Sequence, residues 1–188
     1  MNAKKKILIS ISALLVVVLA IIGVVIAVLA AKNVTINGQV NITFNAANVY
    51  GSVTAKSKVG SAESSIGTAS FNGDEVDSYT LGSGTHSVTL TSSNDSVEFI
   101  FTLVNTNKLA GYTATITAPD LNKFDKTVSK SGDFTELSTP NDYSFVVNAA
   151  TDAANSEVSY VVKYTLNDKT ESINQNITFS WHLESLDY

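Results

Sequence analysis

The feature that most constrains this chain is an uncharged apolar run from Ile7 to Ala31, which directly follows the basic stretch Lys4 to Lys6. As a helix, these 25 residues would be roughly 37 Å long, which exceeds the ~30 Å hydrocarbon layer of a bilayer. The positive-inside rule keeps the lysines in the cytoplasm and sends the rest of the chain outward. The sequence therefore predicts a cytoplasmic segment at 1–6, a transmembrane helix or uncleaved signal anchor at 7–31, and an extracytoplasmic domain at 32–188.

The same run contains the residues of a signal-peptide cleavage site. Val28 and Ala30 are the small residues that such a site needs at its −3 and −1 positions. The apolar core of a signal peptide usually has about 7–15 residues, and this run is longer, so its length favours a retained anchor. The predicted location is the cell membrane, with a single span and an extracellular domain. Cleavage after Ala30 would instead give a secreted protein.

After Lys32 the apolar residues recur at every second position, which is the pattern of strands with one buried face. The pattern is clearest at 97–104, 158–166 and 177–183, where β-branched and aromatic residues are frequent. Weaker strands are predicted at 34–44, 48–59, 66–71, 86–91, 112–118 and 143–149, with Gly38 expected to mark a bulge. The segment 121–131 is less regular, and we expect a short crossover or an edge turn there. The predicted fold is all-β, an Ig-like sandwich of about nine strands in two packed antiparallel sheets.

The charge of the domain argues against a nucleic-acid partner. Nine lysines face seventeen acidic residues after the apolar run, which leaves the domain near −8 (9 − 17). Such a domain repels phosphate backbones, and arginine, the usual phosphate clamp, is missing from the sequence. Cysteine is missing too, which excludes thiol chemistry and cysteine zinc sites and fits a bacterial exported protein.

The two histidines, His86 and His182, give little support for catalysis. Neither belongs to a His-x-His or His-Glu-x-x-His spacing, and each is expected to be a surface residue. A Ser-His-Asp triad stays open because serine is frequent, but the sequence contains no Gly-x-Ser-x-Gly elbow. We therefore expect no catalytic residues and no enzymatic activity.

A cluster of carboxylates provides one candidate metal site. Asp74, Glu75 and Asp77 lie within four positions and could bind calcium, although the Asp-x-Asp-x-Asp-Gly order is missing. The alternative is an ordinary solvated loop, and no other cofactor is expected. The aromatic residues Tyr50, Tyr79, Tyr112 and Trp181 could form a carbohydrate platform, but most of them occupy core positions of the predicted strands.

Two segments resemble the TasA/camelysin-like exported proteins of Gram-positive bacteria. The segment 94–105, Asn-Asp-Ser-Val-Glu-Phe-Ile-Phe-Thr-Leu-Val-Asn, is similar to the strand ending in Asn that precedes a polar turn in that family. The segment 177–184, Ile-Thr-Phe-Ser-Trp-His-Leu-Glu, resembles its closing strand with a Trp. The two cover about 20 residues. Where the family has an Ala-Tyr-Phe-like stretch after the cleavage site, this chain has Ala31-Lys32-Asn33-Val34. The resemblance implies a surface or matrix structural protein that can polymerise into fibres.

The expected function is that of a membrane-anchored cell-surface structural or interaction protein without catalytic activity. Its expected partners are the lipid bilayer, through residues 7–31, and other copies of itself or other surface proteins. Self-association would proceed by strand addition: the segment Val34 to Phe44, if cleavage freed it, would pair with a neighbour's sheet edge. The alternative is a surface ligand-binding module, for glycan or calcium, that uses the acidic loop at 74–77.

Overall fold

The computed structural model describes residues 34–44, 49–73, 78–81, 86–91, 94–130, 135–136, 141–167 and 173–186. They form twelve strands. Within these ranges, no helix is long and apolar enough to cross a membrane. The predicted segments 1–6 and 7–31 lie outside the described residues. In chain order the strands are β1 (Val34–Phe44), β2 (Tyr50–Val59), β3 (Ala62–Asn72), β4 (Ser78–Leu81), β5 (Ser87–Leu90), β6 (Ser96–Asn105), β7 (Tyr112–Thr117), β8 (Phe124–Lys130), β9 (Thr135–Glu136), β10 (Asp142–Val147), β11 (Ser156–Leu166) and β12 (Ile173–Ser185).

The strands form two sheets. The first has the order β4-β1-β12-β7-β10-β9, and β5 also pairs with β1, on the same edge as β4. The second sheet has the order β3-β2-β6-β11-β8. Every strand pair of the described chain is antiparallel except β1 with β12, which is parallel over eleven residues.

The core lies between the two sheets and is rich in aromatic rings. Trp181 of β12 meets Phe101 of β6 at a centroid distance of 5.4 Å, and Phe179 meets Phe99 at 4.9 Å. All four side chains are almost completely buried. Contacts of this kind are each worth about 0.5–1.5 kcal/mol beyond the burial of their apolar area. The all-β prediction and the two-sheet arrangement of a sandwich are therefore confirmed.

The alternating pattern placed nine strands correctly, and three were missed. The nine predicted segments all lie on strands of the structure, although β3 begins at Ala62 rather than Ile66. The missed strands are the short β4 and β9, and β8, which replaces the crossover or edge turn expected at 121–131. Its pattern is concealed because Lys126 occupies a position on the inward face between Phe124 and Val128. One pair departs from the predicted antiparallel sheets, because β1 and β12 are parallel.

The bulge predicted at Gly38 is wrong as well. The register of β1 with β12 is continuous through Gly38, and the irregularity lies instead between β2 and β3. There Ala55 faces Gly67 and Lys56 faces Ser65, so Ile66 is the extra residue. Gly38 is needed for a different reason: a Cβ atom there would lie 3.1 Å from Cε1 of Phe99. The glycine therefore lets β1 pass directly over an aromatic ring of the opposite sheet.

Gly51 marks a second close approach, at the start of β2. Its φ of +146° is one that side-chain-bearing residues rarely adopt, and a Cβ atom would lie 1.8 Å from the carbonyl oxygen of Val104. No other residue type fits there without movement of the backbone. This contact sets the distance between β2 and β6 where the two strands meet the loop after Asn105.

Candidate functional site: the N-terminal strand and its slot

The strand β1 is held in its sheet entirely by segments that are distant in the sequence. On one side, each residue from Val34 to Phe44 faces a residue of β12, from Ile173 to Leu183. On the other side, β4 faces residues 40–43 and β5 faces residues 34–37. No hairpin turn links β1 to any of these neighbours. We call the gap that β1 fills, bounded by β12, β4 and β5, the β1 slot.

Side chains at the start of β1 attach it to the slot on both faces. On the inner face, Ile36 is completely buried, and Gly38 rests against Phe99. On the outer face, the Asn37 side-chain amide donates to Oδ1 of Asn176 at 2.9 Å and to Oδ1 of Asn174 at 3.4 Å. The inner contacts exclude water, and the outer amides add polar contacts across the parallel pair.

His86 connects the edge of the slot with the opposite sheet. It lies immediately before β5, and its carbonyl oxygen accepts a hydrogen bond from the backbone N–H of Gly38 at 3.1 Å. Its ring Nε2 lies 2.8 Å from Oγ of Ser57, on β2. Burial lowers the pKa of His86 below its ordinary value because the charged imidazolium loses solvation. The expectation that His86 is a surface residue is therefore wrong, because it is half-buried and hydrogen-bonded between the sheets.

A Ser–His pair at this distance invites comparison with a hydrolase site. However, Ser57 is only 1% exposed, so a substrate carbonyl cannot approach its hydroxyl without opening the sandwich. The Ser57–His86 hydrogen bond instead links β2 to the edge of the β1 slot. His182 lies between the buried Trp181 and Leu183, on the outward parity of β12, and is half-buried like His86.

The loops at the end of the sandwich where β12 ends are organised by Asn105, the last residue of β6. Its side chain is completely buried and donates to the carbonyl oxygens of Ala110, at 3.0 Å, and Asn148, at 2.9 Å. Its Oδ1 accepts from the backbone N–H of Asn107 at 2.9 Å. The loop it holds exposes 86% of Leu109 at its tip. Asn105 closes the segment that carries the resemblance to the TasA/camelysin-like proteins, and its role in this fold is structural.

The other residues named from the sequence have different outcomes. Asp74, Glu75 and Asp77, the cleavage residues Val28 and Ala30, and the span from Ile7 to Ala31 all lie outside the described residues. Among the residues that are described, no group of three or more His, Asp or Glu side chains is placed to hold a metal ion. Tyr112 and Trp181 are buried at core positions, as expected, and Tyr50 is 37% exposed.

Sequence reasoning did not anticipate Ser57 or Asn105 as buried polar residues. Ser57 faces the core from β2. Because many residues of this strand are small or polar, its sequence shows no clear apolar alternation that would mark position 57 as buried. Asn105 ends a strongly alternating strand, at the position where the next inward-facing residue is expected. That position was the signal in the sequence that its side chain is buried.

Comparisons with known proteins show no family for this chain. No protein-family model matches the chain, and no curated protein matches it. Among solved structures, the Fcho1 Mu homology domain of Danio rerio, with a bound Eps15 peptide, is similar over 86% of this chain and 100% of that chain. The alignment has a TM-score of 0.29 and 3% sequence identity. At that TM-score the likeness supports no statement about function.

Proposed function

We propose that the chain is a membrane-anchored, non-catalytic structural protein of the cell surface, with an Ig-like β-sandwich that self-associates by exchanging β1 between copies. The single observation that carries this is the non-local pairing of β1 along its whole length. Because none of its neighbours is joined to it by a hairpin, an identical strand from a second copy can make the same hydrogen bonds in the same register. The anchored location rests on the apolar run at 7–31 and the lysines before it.

The composition of β1 supports exchange. The sequence carries no charged residue between Asn33 and Ala55, so the strand can enter the slot of another copy without burying a charge. Edge strands that must not pair with other chains usually carry lysine or proline, and β1, which has neighbours on both sides, carries neither. A domain with a charge near −8 repels its copies, and contact through an uncharged strand avoids the strongest part of this repulsion.

The way β1 is joined to the domain allows copies to link into chains. Five residues, 45–49, connect β1 to β2, and they span at most ~18 Å when extended. A donated strand therefore keeps the body of its own copy close to the acceptor. Each copy donates one strand and accepts one, and such head-to-tail contacts grow into filaments unless the rotation between copies closes a ring. This agrees with the matrix role implied by the sequence resemblance to TasA/camelysin-like proteins.

Paired cysteines test the exchange directly, because the natural sequence contains none. Asn37 and Asn176 face each other on β1 and β12 and both are exposed, so the variant Asn37→Cys/Asn176→Cys reports which copy supplies β1. The matched control is Thr54→Cys/Thr68→Cys, which joins two facing exposed positions of β2 and β3 within one hairpin. Both variants are expressed as the full chain, oxidised, and separated on a non-reducing gel.

Exchange predicts a ladder of covalent multimers for the Asn37/Asn176 pair and a single monomer band for the control. A monomer band for both pairs would show that each β1 stays in its own slot, and the proposal would then be wrong. Multimers in both variants would indicate collisional cross-linking and would equally contradict it. The intact mass of the native protein, measured by mass spectrometry, shows whether residues 1–30 are retained; a chain that lacks them is secreted.

A further inference from the structure

A lysine on the core-facing side of a strand is the most unusual charged residue in the described part of the chain. Lys126 lies on β8 between the inward-facing Phe124 and Val128, opposite Tyr164 of β11. Its side chain is 9% exposed, whereas the outer-face lysines Lys56 and Lys163 are 48% and 41% exposed. Lysine is almost never buried unless its charge is compensated, so its partners explain why it is there.

The ammonium group of Lys126 contacts three oxygen atoms in the segments that follow β7 and precede β10, both strands of the other sheet. Its Nζ donates to the carbonyl oxygen of Ala118 at 2.7 Å and to Oδ1 of Asn141 at 2.5 Å, and it pairs with the Asp120 carboxylate at 2.8 Å. Ala118 and Asp120 follow β7, and Asn141 precedes β10. The backbone N–H of Ala118 also donates to the carbonyl oxygen of Asn141 at 2.9 Å, which keeps these segments together. Lys126 therefore bridges the two sheets at the end where β7 finishes.

We propose that Lys126 and Asn141 form an intramolecular isopeptide bond, with Asp120 moving the protons. The Nζ amine attacks the side-chain carbonyl carbon of Asn141 after its proton passes to the Asp120 carboxylate. The bond from that carbon to Nδ2 then breaks as Asp120 returns this proton to the departing nitrogen. The Asp120 carboxylate next takes the second proton from the new amide nitrogen and passes it to the released ammonia, which leaves as ammonium. The product is an amide between the two side chains, and the chain loses one NH₃, about 17 Da. The step needs no oxidant, reductant or metal.

The geometry brings the reacting groups together in advance. The contact from Nζ to Oδ1, at 2.5 Å, is shorter than the 2.7–3.2 Å of an ordinary N–H···O hydrogen bond. Since a carbonyl bond is about 1.2 Å long, the amide carbon lies within about 3.7 Å of Nζ, close to the roughly 3–3.5 Å of a near-attack arrangement. Holding two groups this close replaces an encounter in solution by a reaction within one molecule.

The surroundings also suit the reaction. The Lys126 side chain is only 9% exposed and lies opposite Tyr164, so water has little access to the amine. The Asp120 side chain is 72% exposed, which gives the ammonia a path to solvent. The bond would join β8, at the edge of one sheet, to the start of β10 in the other. This inference does not depend on the proposed function.

Mass spectrometry tests the bond on the purified full chain. We expect an intact mass about 17 Da below that of the sequence, and a branched peptide after digestion in which the Lys126 segment is joined to the Asn141 segment. The mass deficit should vanish in Lys126→Arg, which keeps the positive charge and the hydrogen bonds but cannot form the amide. It should vanish or form much more slowly in Asp120→Asn, whereas Asp152→Asn, which removes an exposed carboxylate beside Lys108, should leave it unchanged.

The intrinsic fluorescence of Trp181, which is buried in the core, checks that each variant is folded before its mass is read. A wild-type chain with the full calculated mass and separate Lys126 and Asn141 peptides would overturn the proposal and leave Lys126 as a salt-bridged tie. A deficit that persists in folded Lys126→Arg would also overturn it, because the ammonia would then come from cyclisation of an asparagine. An unchanged deficit in folded Asp120→Asn would remove the proton-transfer role of that carboxylate.

Discussion

Asn37 and Asn176 face each other across the parallel strands β1 and β12, and the Asn37 amide donates to Oδ1 of Asn176 at 2.9 Å. Both side chains are exposed, so water competes for this hydrogen bond and its net contribution to stability is small. The backbone ladder and the buried Ile36 must therefore supply most of the free energy that keeps β1 in its slot. This division leads to the first prediction.

We expect Ile36→Ala to lower the free energy of unfolding by about 2–5 kcal/mol, because it deletes a fully buried side chain and leaves a cavity in the core. Asn37→Ala, the neighbouring outward position, should cost about 1 kcal/mol or less. Urea titration followed by Trp181 fluorescence measures both. If the two variants proved equally stable, β1 would not belong to the cooperative core of the domain.

The second prediction concerns acid. Burial lowers the pKa of His86 below 6.5, so the unfolded chain binds a proton at this residue more readily than the folded domain does. Stability from this residue is present above about pH 6.5 and is lost as the pH falls through the folded-state pKa. His86→Asn should therefore weaken the decrease in urea midpoint between pH 7.5 and 5. An unchanged slope in this variant would assign the acid sensitivity to other groups.

The third prediction concerns alkali. Burial raises the pKa of Tyr164, with the charges of Asp120 and Tyr143 adding to the effect, and its hydroxyl donates to the carbonyl oxygen of Pro119 at 2.6 Å. The folded domain thus keeps a proton that the unfolded chain releases above about pH 10, and stability from this group is lost as the pH rises beyond that point. We expect Tyr164→Phe to be less stable at pH 7 but to lose less of its stability between pH 9 and 11. Thermal melts at several pH values measure this, and parallel losses in the two proteins would contradict it.

The fourth prediction separates a buried asparagine from an exposed one. Asn105→Asp replaces an amide that donates to two carbonyl oxygens by a carboxylate that can only accept, in a fully buried position. The loss should be about 3 kcal/mol or more at neutral pH, and it should shrink in acid as the carboxylate is protonated. Asn176→Asp makes the same chemical change on the exposed outer face and should cost little. Similar losses in the two variants would mean that the Asn105 hydrogen bonds do not hold the loops.

The strongly alternating strands could be predicted from the sequence because their inward residues are large and apolar. Val97, Phe99, Phe101 and Leu103 on β6 are an example, and all four are completely buried. Strand β8 could not be recognised, because Lys126 occupies the inward position between its two apolar residues. Its reason for being there involves Asp120 and Asn141, which become its neighbours only after the chain has folded.

The pairing of β1 with β12 could not be predicted from local patterns for a similar reason. The alternation of its residues predicts a strand, but nothing in residues 34–44 indicates that the partner lies more than a hundred positions away or that the pair is parallel. The contact between His86 and Ser57 depends on the same folding of distant segments. The local pattern predicts a bulge at Gly38 because it does not include the ring of Phe99, against which the glycine lies.

The parallel alignment of β1 with β12 also determines how the domain responds to a pulling force. Force that enters at Val34 and leaves at Ser185 acts at opposite ends of the same ladder, since Val34 faces Ile173, the first residue of β12. The slanted hydrogen bonds between the two strands are then stretched together rather than opened one after another. A domain tethered at its N-terminus and pulled from its far end would therefore meet mechanical load in shear, through all eleven facing pairs at once.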